Sequence, residues 1–262
     1  MRRAAILDGV DDVRLVPAAR PPHAWLFELD GVLTDTAALH ARAWKEVFDE
    51  LLESVDRPEG GPHEAPWRPF DAVVDFERYV DGKPQAEGVR AFLASRGITL
   101  PAGGPIDRPG SHTVASLAGS KSARFLRLLA SDGVRVFPGS IELLEALRAA
   151  GRRTAVVSAS ENCRAVLEAG RLAELFDAEV DGVLARRGLR PKPAADTYLF
   201  AAAKLGVPAS DAAVVDDATA GVSAGRSGGF GLVVGVARRV RGADLAAAGA
   251  DLVVESLEEL LL

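Results

Sequence analysis

The sequence predicts an α/β protein with a doubly wound parallel sheet and an α-helical cap inserted after its first strand. Three observations carry that reading. From about residue 135 to the end, short apolar runs alternate with helical patterns, the signature of a parallel sheet covered on both faces. One more apolar run of the same kind, Ala24 to Leu29, lies far upstream of its relatives. Between the two, residues 37–134 carry helical periodicity and no convincing strand. A strand cut off from its sheet by helices alone implies an insert. The division expected is therefore 1–22 as a peripheral N-terminal arm, 23–36 with 135–262 as the core, and 37–134 as the cap.

Each element has its own signal. Val13–Val16 is a possible short strand in the arm, ended by Pro21-Pro22. Ala24–Leu29 is apolar apart from Glu28, and Gly31 breaks it. A helix is expected from about Asp35, because Ala37, Leu39, Ala43, Trp44, Val47, Phe48, Leu51 and Leu52 recur at helical spacing. Residues 57–62 form a loop by their Pro and Gly content. Asp71–Val80, Gln85–Arg96 and Thr113–Ala130 are the further cap helices. Val136-Phe137-Pro138-Gly139 punctuates the return to the core. The core strands expected are Ala155–Ser158, Ala212–Val215, Leu232–Val236 and Leu252–Val254. Ile141–Ala150, Glu161–Ala169, Ala194–Leu205 and Ala218–Gly225 are the helices among them.

Composition narrows the function classes. Apolar residues make up 48% of 262, enough for a sizeable core. The net charge of −6 gives no basic footprint for nucleic acid. Cys163 is the only cysteine, so no disulfide framework or thiolate cluster is possible, and a reducing cytoplasm fits. No stretch approaches the ~18 apolar residues of a membrane span. The four histidines lack metal-ligand spacing. Gly119-Ser120-Lys121-Ser122 is not a phosphate-loop end, because glycine does not directly precede the lysine. Glu28 and Asp30, neighbours on one strand, are not placed to flank a glycosidic bond.

Four strand ends supply chemistry. Glu28 and Asp30 are two residues apart in extended chain, which points both carboxylates the same way at a strand end, where ligands sit in open α/β sheets. Like charges so close call for a cation or a proton; the same pair also suits loop charges in water. Ser158 follows an apolar run and precedes a helix, a place for a phosphate oxygen. Ser160 and Asn162 fit either ligand binding or helix capping. Lys192 stands between Pro191 and Pro193, in a held turn or on a plain surface. Asp216 and Asp217 end an apolar run and suit Mg²⁺ or a helix cap.

Taken in chain order, these four signals resemble the motifs of the haloacid dehalogenase superfamily: acid-x-Asp-Gly-Val-x-x-Asp-Thr at residues 28–36, then Ser158, Lys192 and Asp216-Asp217. Further runs are similar to its β-phosphoglucomutase family, covering nearly the whole chain after Pro22. They are Thr36-Ala37 with His40 and Ala43-Trp44-Lys45, Tyr79–Pro84, Val136–Ser140 and Lys192–Thr197. The resemblance implies a Rossmann-like core and Mg²⁺-dependent phosphoryl transfer on a small phosphorylated metabolite, a sugar phosphate, by a cytoplasmic monomer without nucleic-acid or membrane partners. It implies Glu28 as nucleophile and metal ligand, Asp30 as acid/base and metal ligand, and Asp216 and Asp217 as metal ligands. Ser158 and Lys192 would hold the transferring phosphoryl group. His40 and Lys83 would belong to the cap and hinge, and Lys121 would match a cap lysine near the substrate, with Ser160 and Asn162 also at the substrate.

The chain departs from the family pattern at particular places. Glu28 stands where the family carries its nucleophilic Asp. Glu161 stands where a basic residue is usual, Gln85 where Arg is common, and Gly119-Ser120-Lys121-Ser122 replaces Asn-Arg-Lys-Asn. These changes remove grip from a second, non-transferring phosphate. The expected activity is therefore a phosphatase slowed by Glu28, with a working mutase and a weakly active phosphometabolite binder as the alternatives.

Overall fold

The computed structural model describes residues 21–55, 68–81, 83–104, 106–108, 110–185 and 188–261. The strand expected at 13–16, the loop at 57–62 and nearly all of the arm at 1–22 lie outside the described residues. The chain divides into two compact units. One runs to Asp35 and resumes at Val134, and the other is Thr36–Gly133.

The first unit is built on a six-stranded parallel sheet. Its strands are β1 (Ala24–Phe27), β4 (Arg153–Val157), β5 (Ala178–Val180), β6 (Ala212–Asp216), β7 (Leu232–Val236) and β8 (Leu252–Val254), and their spatial order is β5-β4-β1-β6-β7-β8. β1 is central. Ala24 pairs with Arg153 on one side and Ala212 on the other, and Phe27 with Val156 and Val215. That position explains its unbroken apolar sequence, since a central parallel strand is covered on both faces. Side chains alternate accordingly. Ala24 and Leu26 join Val157, Val214, Val233 and the buried faces of α7 (Asp196–Leu205), α8 (Thr219–Ser227) and α9 (Gly242–Ala248) in one core. Trp25 and Phe27 have the opposite parity and stack on each other at 6.2 Å.

The remaining elements of this unit are short. β2 (Thr34–Asp35) and β3 (Arg135–Val136) form an antiparallel pair that no periodicity announces. β5 was also missed, because three residues, Ala-Glu-Val, are too few for a period. α4 (Ser140–Ala149) lies against β4, and α5 (Cys163–Ala169) follows that strand. α6 (Gly182–Ala185) is a single turn. β1 ends at Phe27, two residues before its apolar run does: Leu29 remains buried, but its carbonyl accepts from Leu33 and Thr34 in a turn. β4 starts at Arg153, two residues earlier than expected, because Arg153 and Thr154 pair with Ala24 and Trp25.

The second unit is helical: α1 (Ala37–Ser54), a π-helical turn at Phe76–Val80, α2 (Gln85–Ser95) and α3 (Val114–Asp132). Its core is aromatic. Phe48 lies 5.0 Å from Trp44, 5.3 Å from Phe70 and 4.0 Å from Phe92. Thr113 caps α3 by accepting from Ser116 N at 3.1 Å. The expected helix over 71–80 is reduced to its C-terminal half. The Asp71 carboxylate accepts from the N–H groups of Val73 and Val74, which ties that segment into a turn. Below it Asp75, fully buried, accepts from Arg96 at 2.5 Å and Arg68 at 3.2 Å.

Candidate active site

The three central strands end at one edge of the sheet, and their next residues carry the polar groups. Glu28 follows β1, Ser158 follows β4, and Asp216 closes β6 with Asp217 after it. Such an edge, where strand order runs outward from β1 in both directions, is where open α/β sheets bind ligands.

Lys192 joins these ends. Its ammonium donates to Glu28 Oε2, to Asp216 Oδ2 at 2.8 Å and to the Val157 carbonyl at 3.4 Å. Burial alone would lower the lysine's pKa. Asp216 and Glu28 outweigh it and raise the pKa well above the ordinary value, so Lys192 is a fixed cation. Glu28 also turns back on the chain, its Oε1 accepting from Leu29 N at 3.0 Å. Burial pushes the Glu28 carboxyl up to about 7 against the pull of Lys192, and the negative charges of Asp216 and Asp30 add to the rise.

Asp216 is held on both oxygens. Oδ2 accepts from Lys192 and, at 2.6 Å, from the Tyr198 hydroxyl, while Oδ1 accepts from Ala218 N at 2.9 Å. Tyr198 belongs to α7, is wholly buried, and places its ring 4.6 Å from the Lys192 ammonium. Asp217 is buried too. Burial first, and then the charges of Asp216 and Glu28, hold its carboxyl well above the usual range, with Arg239 pulling the other way. Two glycines make room for these acids. A Cβ on Gly31, whose φ is +87°, would stand 2.0 Å from Asp217 Oδ2, and one on Gly221 would stand 1.7 Å from Asp216 Oδ2.

The structure thus gathers Glu28, Lys192 and Asp216 in direct contact. Asp30 and Asp217 are near enough for Asp30 to raise the Glu28 pKa and for Glu28 to raise that of Asp217. Asp30 itself bridges to Thr34 through the backbone. Ser158 Oγ accepts from Ser160 N, and Ser160 Oγ accepts from Asn162 N, each at 3.1 Å. That chain of turns delays α5 to Cys163, two residues later than expected. Asn162 is the residue before the helix, makes no side-chain cap, and buries Nδ2 without a partner among the described residues.

The other candidates belong to the helical unit. Lys121 is buried there, with its Nζ 2.6 Å from His40 Nδ1, 5.1 Å from the Phe125 ring and 5.4 Å from that of Trp44. His40 stacks on Phe125 at 4.2 Å. Lys83 is exposed and donates to the carbonyls of Arg78 and Tyr79 at the end of the π-helical turn. Gln85 exchanges hydrogen bonds with Ser122. Sequence reasoning missed Tyr198, because its helical spacing marks only a core position and gives no sign of where the hydroxyl points. It read Gly31 as a strand breaker, without the packing reason.

Among the described residues no three acidic, histidine or cysteine side chains converge so as to hold a metal ion, since Glu28 and Asp216 are drawn onto Lys192. The chemistry of the donor set still suits Mg²⁺. It is all carboxylate oxygen; burial first, and then the neighbouring carboxylates, raise the Glu28 and Asp217 pKa values, and a divalent cation relieves the second of these causes.

The chain is similar to known proteins over most of its length. Residues 23–229 match the model of the haloacid dehalogenase-like hydrolases. A β-phosphoglucomutase of Mycobacterium tuberculosis is 47% identical over 242 residues, covering 91% of each chain. The β-phosphoglucomutase of Bacillus subtilis is 30% identical, covering 90% of this chain and 94% of that one. Among solved structures, CbbY from Rhodobacter sphaeroides in complex with phosphate superposes with a TM-score of 0.70 at 27% identity. It covers 91% of this chain and 96% of that chain. A mutant of CbbY from the same organism, in complex with xylulose-(1,5)bisphosphate, gives a TM-score of 0.71 at 25% identity.

Proposed function

From a chain that belongs to the haloacid dehalogenase-like hydrolases and is related to β-phosphoglucomutase, we propose Mg²⁺-dependent phosphoryl transfer on a phosphosugar, with water as the final acceptor. The observation that carries this reading is Lys192, a fixed cation bonded to the acids that end β1 and β6. A phosphoryl group brought to that point meets a carboxylate nucleophile, a compensating cation and an adjacent second acid.

In this reading a Glu28 carboxylate oxygen attacks phosphorus in line. The bond to the leaving oxygen breaks, Asp30 gives that oxygen its proton, and an acyl phosphate remains on Glu28. Water then attacks phosphorus, Asp30 takes the proton, and Glu28 is regenerated as inorganic phosphate leaves. Lys192 and Ser158 hold the phosphoryl oxygens. Asp216 anchors Lys192. Mg²⁺, held by Glu28, Asp30, Asp216 and Asp217, would neutralise charge on the transferring group. His40, Lys83, Lys121, Ser160 and Asn162 would contact the rest of the substrate.

Glu28 replaces the family's nucleophilic Asp in this reading. Its arm is about 1.5 Å longer, one C–C bond. A misplacement of about 1 Å can cost on the order of a hundredfold in rate. The turnover expected is therefore slow.

A second reading has a specific support. Relatives 47% identical over 91% of their length are named β-phosphoglucomutase, which favours a sugar hydroxyl as the final acceptor. One assay separates the two. The protein is incubated with Mg²⁺ and a panel of phosphosugars, with and without a sugar bisphosphate. Phosphate release without bisphosphate supports the hydrolase, and isomer formation that needs bisphosphate supports the mutase. Neither product from any sugar would sink phosphoryl transfer as the function.

A further inference from the structure

The proposed nucleophile does not stand clear of the groups assigned to its substrate. Glu28 Oε2 accepts from Lys192, and Oε1 accepts from Leu29 N at 3.0 Å. One of these donors is the lysine proposed to hold the transferring phosphoryl group, and the other is the backbone N–H next to the nucleophile. Both face the same carboxylate, one on each oxygen. A longer acid at this position puts its carboxylate beyond the place where the shorter aspartate's would lie, by about one C–C bond. That displacement moves it toward where a group bonded to the aspartate would be. A carboxylate is also anionic and planar, with oxygen acceptors that suit the same N–H donors as a phosphoryl group does.

We propose that Glu28 acts as a built-in stand-in for the phosphoryl group. Its carboxylate occupies the Lys192 and Leu29 N–H donors and excludes phosphate from them, so that the resting chain imitates a phosphorylated site. This rests on the phosphoryl-transfer reading and deepens it, because the occlusion acts on that same site. An incoming phosphoryl group must displace Glu28 from Lys192. The structure around the pair favours the closed arrangement. Lys192 is also bonded to Asp216, and Asp216 in turn to Tyr198 and Ala218 N, which holds the ammonium in the contact it makes with Glu28.

Titration calorimetry with inorganic phosphate, at fixed saturating Mg²⁺, tests this on the full chain. Glu28→Ala is expected to bind phosphate at least tenfold more tightly than the wild type, and adding Lys192→Gln is expected to abolish the gain. Glu28→Gln separates occupancy from charge. It removes the charge but keeps the bulk on the same donors, so its gain is expected to be clearly smaller than that of Glu28→Ala. Equal affinity in wild type and Glu28→Ala overturns the proposal. So does an equal gain in Glu28→Gln, or a gain that survives the loss of Lys192. Where Glu28→Ala does not fold by circular dichroism, Glu28→Asp carries the test, and unchanged phosphate affinity there overturns it. Turnover of p-nitrophenyl phosphate judges the underlying reading separately. A chain without turnover whose Glu28→Ala form gains phosphate keeps the occlusion and loses phosphoryl transfer. A chain with turnover and no such gain keeps the transfer and loses the occlusion.

Discussion

Removing one oxygen atom, in Tyr198→Phe, probes the support of the site. The hydroxyl is buried and donates to Asp216 Oδ2 at 2.6 Å, a hydrogen bond to a carboxylate. Bonds of that kind contribute about 1.5–3 kcal/mol. The lower end applies, because Asp216 is not orphaned: Oδ2 keeps Lys192 and Oδ1 keeps Ala218 N. The ring also stays, under Lys192 and edge-on to Phe230 at 6.1 Å. A loss of about 1.5 kcal/mol should move a urea midpoint down by on the order of 0.5–1 M, given typical slopes for chains of this size. The chain supplies its own probe. Cys163, its only cysteine, is fully buried in the same unit, and burial pushes its thiol pKa far up, so it reacts only when that unit opens. A short pulse of thiol reagent at each urea concentration then reads the opening of the α/β unit. An unshifted midpoint in Tyr198→Phe would refute the reasoning and show that the hydroxyl gives nothing net. Tyr198→Leu, which loses the ring as well, should fall further.

Other substitutions test the remaining parts. Glu28→Asp should raise turnover of p-nitrophenyl phosphate at least tenfold with little change in Mg²⁺ affinity; a variant no faster than wild type would mean that arm length is not what limits the reaction. Asp217→Asn should weaken Mg²⁺ binding in calorimetry, and unchanged binding would remove Asp217 from the metal set. Gly31→Ala puts a Cβ against Asp217 and forces a left-handed backbone, at a cost of roughly 1–2 kcal/mol for the backbone alone, so thiol labelling of Cys163 should shift to lower urea. In the helical unit, Asp75→Asn leaves the buried Arg96 without its charge partner, and a loss of about 3–5 kcal/mol is expected, seen as earlier unfolding by Trp44 fluorescence in a chain whose Trp25 and Trp67 are replaced by Phe.

The sequence by itself determined the kind of fold and the roster of acids. The apolar runs at β1, β4, β6, β7 and β8 announce a buried parallel sheet because strands covered on both faces have no polar side to show. The helical periods between them are as plain, since burying one face repeats every turn. Glu28, Asp30, Ser158, Lys192, Asp216 and Asp217 could be picked out by their places at the ends of those runs or in a proline-held turn. Tertiary structure decided the rest. β5 and the β2–β3 pair are too short to carry a period and form only because partner strands offer them hydrogen bonds. The 71–80 helix lost its first turns to local bonding by Asp71, a competition that periodicity does not record. Above all, only the folded chain decided what holds Lys192. Glu28, Tyr198 and Asp216 are far apart in sequence, and no spacing rule brings a tyrosine of α7 to the end of β6 or sets a glutamate's carboxylate on a lysine 164 residues away. Such contacts are set by how strands and helices stack, and that is a property of the whole packed core.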